Sequence, residues 1–321
     1  IVGGPTWNKQ AVEDVTAFVE ANNLPVACAF RYQDRVNNTH PNYVGDIGIG
    51  INPKLATRVK ESDLLIVAGP RMGEMTTGGY NMLNIPETDQ DLIHIMPGAE
   101  ELGRVYNPDL GINSSLRQFF KAARALEPVD SSAWKGEAAI GHADYLMRIV
   151  PTEMPGDVNM GQIVKWLSER IPEDGILTNG AGNYTVWGHR FYQHKSYPSQ
   201  LAPTNGAMGY SVPAAISAKI VYPERMVVSM NGDGCFMMLG QEMITAKQFN
   251  ASVIFIVVNN GMLGTIRMHQ EREFPNNIMS TELMNPDFVK LAESYGAYGE
   301  AVTQTEDFAE AFERAVSSGR A

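Results

Sequence analysis

The sequence predicts an α/β protein with two doubly wound domains, each built on a mostly parallel sheet. Short apolar runs alternate with amphipathic segments along the whole chain, which is the pattern of strands covered by helices. The 321 residues are enough for about two domains. A stretch rich in Pro, Ser and Gly, residues 127–157, separates two such series of elements and predicts the interdomain connection.

The two series follow from the periodicity of the apolar residues. In the first series we predict strands at 1–4, 24–30, 63–69 and 91–96, with helices at 9–22 and 114–126. In the second we predict helices at 159–170, 208–221 and 236–249, strands at 175–178, 225–230 and 252–258, and closing helices near 286–295 and 306–315. The predicted domains are therefore residues 1–126 and 158–321.

Charge and cysteine content exclude several classes of function. The net charge is −11, so no basic surface for nucleic acid or anionic membranes is indicated. No apolar run reaches the length of a membrane span. The chain has two cysteines, Cys28 and Cys235, too few for a disulfide framework, which favours a reducing cytoplasm.

An acidic residue between two glycines ends one predicted strand. In "VVSMNGDGCF" the strand finishes at Gly232-Asp233-Gly234, and the next strand finishes at Asn259-Asn260. If the two strands are parallel neighbours, Asp233 and Asn260 meet at one edge of the sheet, where open α/β sheets present ligands. Carboxylate and carbonyl oxygens suit Mg²⁺, and a diphosphate would complete such a site. A tight turn with Asp233 as a helix cap is the simpler alternative.

Other loops at the same predicted edge also favour an anion. The segments "TNGAGNY" (178–184) and "PTNGAMGY" (203–210) are glycine-rich and let backbone N–H groups approach a phosphate closely. The helix predicted from residue 236 would add the positive end of its dipole. Several loops with this chemistry at one edge are harder to explain as caps alone.

These motifs resemble a known family. Gly232-Asp233-Gly234, followed after 24 residues by Asn259-Asn260, resembles the thiamine-diphosphate motif of the acetolactate synthase and pyruvate decarboxylase superfamily. "TNGAGNYTVW" and "NGAMGYSVPAAISA" are similar to other segments of the family's diphosphate domain, and "DLLIVAGPRMGEMTT" and the opening "IVGG" to its central domain. The resemblance covers essentially the whole chain. It implies a central Rossmann-like domain followed by a thiamine-diphosphate-binding domain.

The resemblance also implies roles for individual residues. Asp233, Asn260 and the backbone carbonyl of Met262 would bind Mg²⁺. Met208 would bend the cofactor, with ordinary core packing as the alternative. His269 would line the substrate pocket, unless it is solvent-exposed or structural, and His189 and His194 are weaker candidates for facing substrate. The remaining residues expected at the cofactor are Gly182, Asn183, Tyr184, Gly206, Gly234, Cys235, Leu263 and Gly264.

The implied reaction is decarboxylation and carboligation of 2-oxo acids, as a transferase or lyase. The implied assembly is a homodimer or homotetramer in which a pyrimidine-binding domain of a second subunit supplies an activating glutamate. We expect this chain to be a fragment that lacks that domain and the end of its own diphosphate domain, and to be inactive alone. No residue of this chain is a certain catalytic group.

Two departures from the acetolactate synthase pattern leave the substrate open. Met75 stands where that family has an arginine, and His269 where it has a tryptophan. A 2-oxo-acid decarboxylase of the benzoylformate type, or another carboligase, is therefore an alternative. A non-catalytic nucleotide- or flavin-binding module is an alternative of a different class. Arg71 matches a flavin-contacting position, which leaves FAD open as a further cofactor.

Overall fold

The computed structural model describes residues 1–320 and divides into two compact α/β units. Unit 1 consists of Ile1–Val150 together with Gln193–Pro198. Unit 2 consists of Pro151–Tyr192 and the described chain from Ser199 onward. Every strand pair in both units is parallel, so the predicted fold class is confirmed.

Unit 1 contains five strands and four α-helices. In chain order they are α1 (Lys9–Ala21), β1 (Val26–Cys28), β2 (Tyr43–Asp46), α2 (Pro53–Lys60), β3 (Leu64–Ala68), β4 (Asp91–Met96), β5 (Leu110–Asn113), α3 (Leu116–Ala123) and α4 (Glu137–Arg148). The strands pair as β1-β2 and β3-β4-β5. Val2 makes parallel bridges to Cys28 and to Ala68 and so connects the two groups.

A hydrophobic core lies on each face of the unit 1 sheet, as a doubly wound fold requires. Successive residues of β1 point to opposite sides, because Val26 and Cys28 belong to one core and Ala27 to the other. Helices α1, α3 and α4 contribute to the first core, and α2 contributes to the second. The nearly continuous apolar strands seen in the sequence follow from this two-sided burial.

Unit 2 contains four strands and eight α-helices. In chain order they are α5 (Met160–Arg170), β6 (Ile176–Asn179), α6 (Thr185–Phe191), β7 (Gln200–Leu201), α7 (Ser211–Val221), β8 (Val227–Gly232), α8 (Asp233–Leu239), α9 (Met243–Gln248), β9 (Ile254–Val258), α10 (Gly264–Glu273), α11 (Phe288–Ser294) and α12 (Phe308–Ser318). The sheet order is β7-β6-β8-β9. The loops that follow all four strands therefore leave the same edge of the sheet.

One helix that was predicted to be continuous is interrupted. The helix predicted over 236–249 is split into α8, a 3₁₀ turn at Gly240–Glu242, and α9. The break falls at a glycine, the weakest helix former after proline, and a Cβ on Gly240 would lie only 2.8 Å from the Phe236 ring. Helix α8 is therefore only seven residues long, shorter than the predicted helix.

Of the strand predicted at 1–4, only the bridges of Val2 form. Two glycines follow Val2, and Gly4 adopts φ +69°. The helix predicted from Met208 begins only at Ser211, after Gly209 with φ +78°.

The units also differ from the predicted domain boundaries in two ways. The stretch 127–157 contains α4, which packs on β2 within unit 1, and the division falls after Val150. The segment Gln193–Pro198 belongs to unit 1 although its neighbours in sequence belong to unit 2. Within residues 1–320, no helix is both long enough and apolar enough to cross a bilayer.

Candidate functional site

Asp233 is buried at the turn from β8 into α8. The residue is only 3% exposed, and three N–H groups donate to its carboxylate. The Gly234 N–H donates to Oδ1 over 2.9 Å, while the Gly261 N–H and the Asn285 Nδ2 each donate to Oδ2 over 2.8 Å. A buried carboxylate needs such donors in place of water. Together they hold the Asp233 carboxylate in one orientation at the edge of the sheet.

The loop after β9, residues 259–264, lies against a second segment of the chain. Strands β8 and β9 are neighbours, with Gly232 opposite Val258, so the predicted adjacency of the two strand ends is confirmed. The Leu263 N–H donates to the Thr281 carbonyl, and the Leu283 N–H donates to the Gly261 carbonyl, both over 2.8 Å. We call residues 281–285 the clasp segment, because it pairs with this loop and also carries Asn285.

Three oxygens of this region retain room for a further ligand. Each amide, carboxylate or carbonyl oxygen has two lone pairs. Asp233 Oδ1 accepts one hydrogen bond, Asn260 Oδ1 accepts one from the Met262 N–H at 3.2 Å, and the Met262 carbonyl accepts one from the Gly264 N–H at 3.0 Å. Hard oxygens of this kind could hold Mg²⁺.

Of these three oxygens, only that of Asp233 carries negative charge, because the other two are neutral carbonyl oxygens. Among residues 1–320, no three His, Cys, Asp or Glu side chains cluster as a metal site. An anionic ligand such as a diphosphate would therefore complement the charge of a bound Mg²⁺.

Tyr184 packs against the Asp233 turn from the loop after β6. Its hydroxyl accepts a hydrogen bond from the Gly180 N–H over 3.0 Å. A Cβ on Gly232 would lie 2.8 Å from Tyr184 Cδ1, so the ring is in direct contact with the strand end. Burial, and secondly the neighbouring Cys235 thiol, raises the pKa of Tyr184 well above its ordinary value. Tyr184 is therefore a neutral, buried wall of the region.

Cys235 is buried in the first turn of α8 and is engaged by its neighbours. Its thiol donates to the carbonyl of Ala181 over 2.8 Å, which connects α8 to the loop after β6. The backbone N–H of Cys235 lies in the helical turn where N–H groups have no intrahelical acceptor. That N–H is suited to an anion, whereas the N–H of Gly234 is already used by Asp233.

Asn183 joins the same loop to the start of α10. Its backbone N–H donates to Thr265 Oγ1, and the Thr265 hydroxyl donates to Asn183 Oδ1, both over 2.9 Å. Its Nδ2 also contacts Met268 Sδ at 3.7 Å. Asn183 therefore lies on the loop after β6, and its N–H is engaged by Thr265. Gly182 beside it adopts φ +145°, which favours glycine.

Gly206 and Met208 lie in the loop after β7. Gly206 adopts φ +76°, and a Cβ there would have no atom within 4 Å, so its backbone is open. Met208 is 37% exposed. A Cβ on Gly234 would lie 3.7 Å from Met208 Cε and 2.9 Å from Leu263 Cδ2. Met208 and Leu263 therefore both contact the Asp233 turn, and Met208 is not an ordinary core residue.

The histidines predicted near substrate differ in their exposure to solvent. His269 is exposed on α10, and its Nδ1 contacts Arg272 Nη2 at 2.9 Å. His189 and His194 are both buried, at 6% and 1% exposure, and His194 belongs to unit 1. A substrate-facing role for His189 and His194 is therefore not supported, because the fold encloses them.

The central-domain residues singled out in the sequence lie in unit 1. Arg71 pairs with Glu101, with 2.9 Å between Nε and Oε2. Met75 is 36% exposed in the segment after β3.

Sequence reasoning missed Asn285 and Thr265, which bind Asp233 and Asn183. The contact of Asn285 with Asp233 could not be predicted, because "MNPDF" is typical of a helix start, and Asp287 does cap α11.

Two family models match the chain in succession. Residues 1–123 match the central domain of thiamine pyrophosphate enzymes, and residues 180–321 match their C-terminal TPP binding domain. The chain belongs to the thiamine pyrophosphate enzymes. The Asp233 turn and the loop 259–264 lie within the part of this enzyme chain that matches the TPP binding domain.

Curated relatives of this thiamine pyrophosphate enzyme include acetolactate synthase large subunits. The chain is 28% identical over 320 residues to the acetolactate synthase isozyme 2 large subunit of Escherichia coli K12, covering 99% of this chain and 57% of that protein. It is 29% identical over 327 residues to the acetolactate synthase large subunit of Corynebacterium glutamicum, covering 98% and 51%. The chain therefore spans about half the length of the curated relatives it matches.

A solved structure shares the fold of this thiamine pyrophosphate enzyme. It is the thiamine diphosphate-dependent 4-hydroxybenzoylformate decarboxylase of Rhodococcus jostii RHA1, with a TM-score of 0.79 and 22% identity, covering 97% of this chain and 57% of that chain.

Proposed function

We propose that unit 2 binds thiamine diphosphate together with Mg²⁺, and that the protein acts on 2-oxo acids as a decarboxylase and carboligase of the acetolactate synthase type. The observation that carries the proposal is the hydrogen bond from the Gly261 N–H to Asp233 Oδ2. It joins the ends of two adjacent parallel strands and brings the Asp233 carboxylate to the loop that carries Asn260 and Met262.

The residues of this chain bind and orient the cofactor. Asp233 Oδ1, Asn260 Oδ1 and the Met262 carbonyl hold the cation, each through its remaining lone pair. The open backbone at Gly206 and the first turn of α8 receive the diphosphate. Met208, which is partly exposed beside Gly234, supports the apolar part of the cofactor. Thiamine diphosphate itself supplies the electron sink for the carbon that loses carbon dioxide.

The proposed assembly is at least a homodimer, because the resemblance implies that a pyrimidine-binding domain of a second subunit completes the site. Two unpaired cysteines are consistent with a cytoplasmic enzyme. We do not extend the proposal to FAD, since the Arg71 guanidinium is already paired with Glu101.

A simple 2-oxo-acid decarboxylase is the second candidate. Met75 and His269 favour it, since neither supplies the side chain that the acetolactate synthase pattern has at these positions. Product analysis with pyruvate, carried out with the pyrimidine-binding domain present, separates the two candidates: acetolactate indicates carboligation, and acetaldehyde alone indicates decarboxylation.

The cofactor proposal is tested by calorimetric titration of the chain with thiamine diphosphate in Mg²⁺. We expect saturable binding, and an affinity about 10–100-fold weaker in Asp233→Asn, because a charge-assisted contact contributes roughly 1.5–3 kcal/mol. Asp157→Asn is the matched control, since this exposed residue makes the same change of charge in unit 2. Equal affinity in Asp233→Asn and the unchanged chain, or no binding by the unchanged chain even with the pyrimidine-binding domain supplied, would contradict the proposal.

A further inference from the structure

The side chain of Asn285 contacts both strand ends of the candidate cation region. Its Nδ2 donates to Asp233 Oδ2 and to Asn259 Oδ1, each over 2.8 Å. An amide nitrogen has two hydrogens, so both are used. The opposite orientation of the amide would turn its oxygen toward two other oxygens, which is unfavourable. The chemistry of the two partners therefore fixes the direction of the Asn285 amide.

The clasp segment that carries Asn285 is itself anchored to the loop after β9. Leu283, two residues before Asn285, donates to the Gly261 carbonyl, and Thr281 accepts from the Leu263 N–H. Gly261 donates in turn to Asp233 Oδ2. Asn285 and Gly261 thus reach the same carboxylate oxygen from two segments that are bonded to each other.

The two oxygens of Asp233 are consequently unequal. Oδ2 accepts two hydrogen bonds, which use both of its lone pairs, whereas Oδ1 accepts one. We propose that Asn285 is a positioning residue that occupies Oδ2 and leaves Oδ1 directed to the cation. This inference rests on the proposed function. Residues that orient a metal ligand in this way influence metal affinity without touching the ion.

A cation measurement separates positioning from simple structural support. Mg²⁺ requires near-ideal octahedral geometry, whereas Ca²⁺ accepts flexible coordination. In Asn285→Leu, which keeps a similar volume without donors, we expect Mg²⁺ affinity in the presence of thiamine diphosphate to fall about 10–100-fold. The affinity for Ca²⁺ should fall less. Equal losses for the two ions, or no loss, would overturn the inference. Asn277→Ala is the control, because Asn277 is exposed on the preceding connection.

A second measurement needs no cofactor. Amide hydrogen exchange of the Asn285→Leu and Asn285→Ala chains should show faster exchange at Gly261, by about tenfold, because its acceptor Oδ2 becomes mobile. The Leu263 and Leu283 N–H groups, which bond within the backbone, should keep their protection. Acceleration at all three amides would mean that Asn285 supports the loop as a whole, and acceleration at none would also overturn the inference.

The two measurements fail in different ways. If the unchanged chain binds neither cation with thiamine diphosphate even when the pyrimidine-binding domain is supplied, but Gly261 alone is deprotected in the variants, the proposed function is wrong and the positioning of Asp233 by Asn285 stands. If binding is normal in every variant and Gly261 stays protected, the proposed function stands and the inference about Asn285 is wrong.

Discussion

Gly232 is the last residue of β8, and the aromatic ring of Tyr184 covers the position where a side chain would begin. A Cβ there would lie 2.8 Å from Tyr184 Cδ1 and 3.0 Å from Cε1. The ring cannot move freely, because its hydroxyl accepts from the Gly180 N–H and the residue is buried. The glycine before Asp233 is therefore required by packing, and not by a left-handed backbone conformation.

We expect Gly232→Ala to lower the free energy of unfolding by about 1–3 kcal/mol, which is typical of overpacking in a closed core. Urea unfolding of the purified chain measures it. Gly73→Ala is the control, because a Cβ on Gly73 meets no atom within 4 Å and should change stability little. A Gly232→Ala chain as stable as its control would show that Tyr184 gives way more easily than its contacts indicate.

At the residue scale, the local sequence pattern predicts some candidate cation ligands, but it does not predict the residues that form hydrogen bonds with them. Asp233 and Asn260 could be predicted because each ends an apolar run, and parallel neighbours bring such ends together. Asn285 could not, because its bond to Asp233 spans 52 residues and its own surroundings are typical of a helix cap.

Helix α7 is attached to the unit 2 sheet by a chain of buried hydroxyl groups. Thr178 on β6 contacts Ser211 at the start of α7, and Ser211 contacts Ser229 on β8, with 2.8 Å between the hydroxyl oxygens in each pair. Asn231 Nδ2 then donates to Ser229 Oγ over 2.9 Å. All four residues are fully buried. The network ends at Asn231, whose buried Oδ1 has no hydrogen-bond partner among the described residues. Its hydroxyl bonds connect α7 to β6 and β8 and so fix how the helix packs on the sheet.

Ser211→Ala removes the middle of this network. We expect a loss of about 1–3 kcal/mol in the free energy of unfolding, because buried hydroxyl groups on both sides lose a partner. Ser217→Ala, an exposed change on the same helix, should alter stability by less than about 0.5 kcal/mol. If the two variants unfold at the same urea concentration, the network contributes nothing measurable to the packing of α7.

Element boundaries show where periodicity is informative. The strands β3, β4, β8 and β9 could be predicted from their apolar runs, which suit strands covered on both faces. The break between α8 and α9 could not, because "FMMLGQEMITAKQF" has a continuous helical pattern and its one glycine is compatible with either outcome. The close contact of Phe236 with Gly240 is a packing feature that periodicity does not report.

At the scale of the whole molecule, the membership of the segment Gln193–Pro198 in unit 1 could not be predicted from its position in the sequence. This segment follows α6 of unit 2 but folds as part of unit 1. Asn38 N–H donates to the His194 carbonyl, and His194 N–H donates to Asn38 Oδ1, both over 2.8 Å. These partners are 156 residues apart. The two-domain organisation could be predicted from length and pattern, but no local signal in "QHKSYP" indicates a partner so distant.

The burial of His194 contributes acid sensitivity to the stability of unit 1, whereas burial raises the pKa of Asp46 in the same unit to about 7 and acts in the opposite direction. Burial lowers the pKa of His194 from 6.5 to about 4, against the attraction of Asp34, because the interior disfavours the imidazolium form. As the pH falls through 6.5 the unfolded chain takes up a proton, while the folded chain does not until about pH 4. The contribution of neutral His194 to the free energy of unfolding is therefore fully present above pH 6.5. It is lost between pH 6.5 and 4, by roughly 3 kcal/mol at most.

Replacing His194 tests whether this one enclosed side chain carries that sensitivity. In His194→Gln, the fall in the free energy of unfolding of unit 1 between pH 7 and pH 4.5 should be smaller than in the unchanged chain. Comparing each chain with itself at two pH values removes any constant loss caused by the substitution. Native-state amide exchange at the buried α1 residues Val15 and Val19, corrected for intrinsic rates, measures unit 1 directly. His269→Gln, at an exposed position, should leave the acid sensitivity unchanged. Equal acid sensitivity in His194→Gln and the unchanged chain would mean that His194 is solvated or charged in solution, contrary to its enclosure by unit 1.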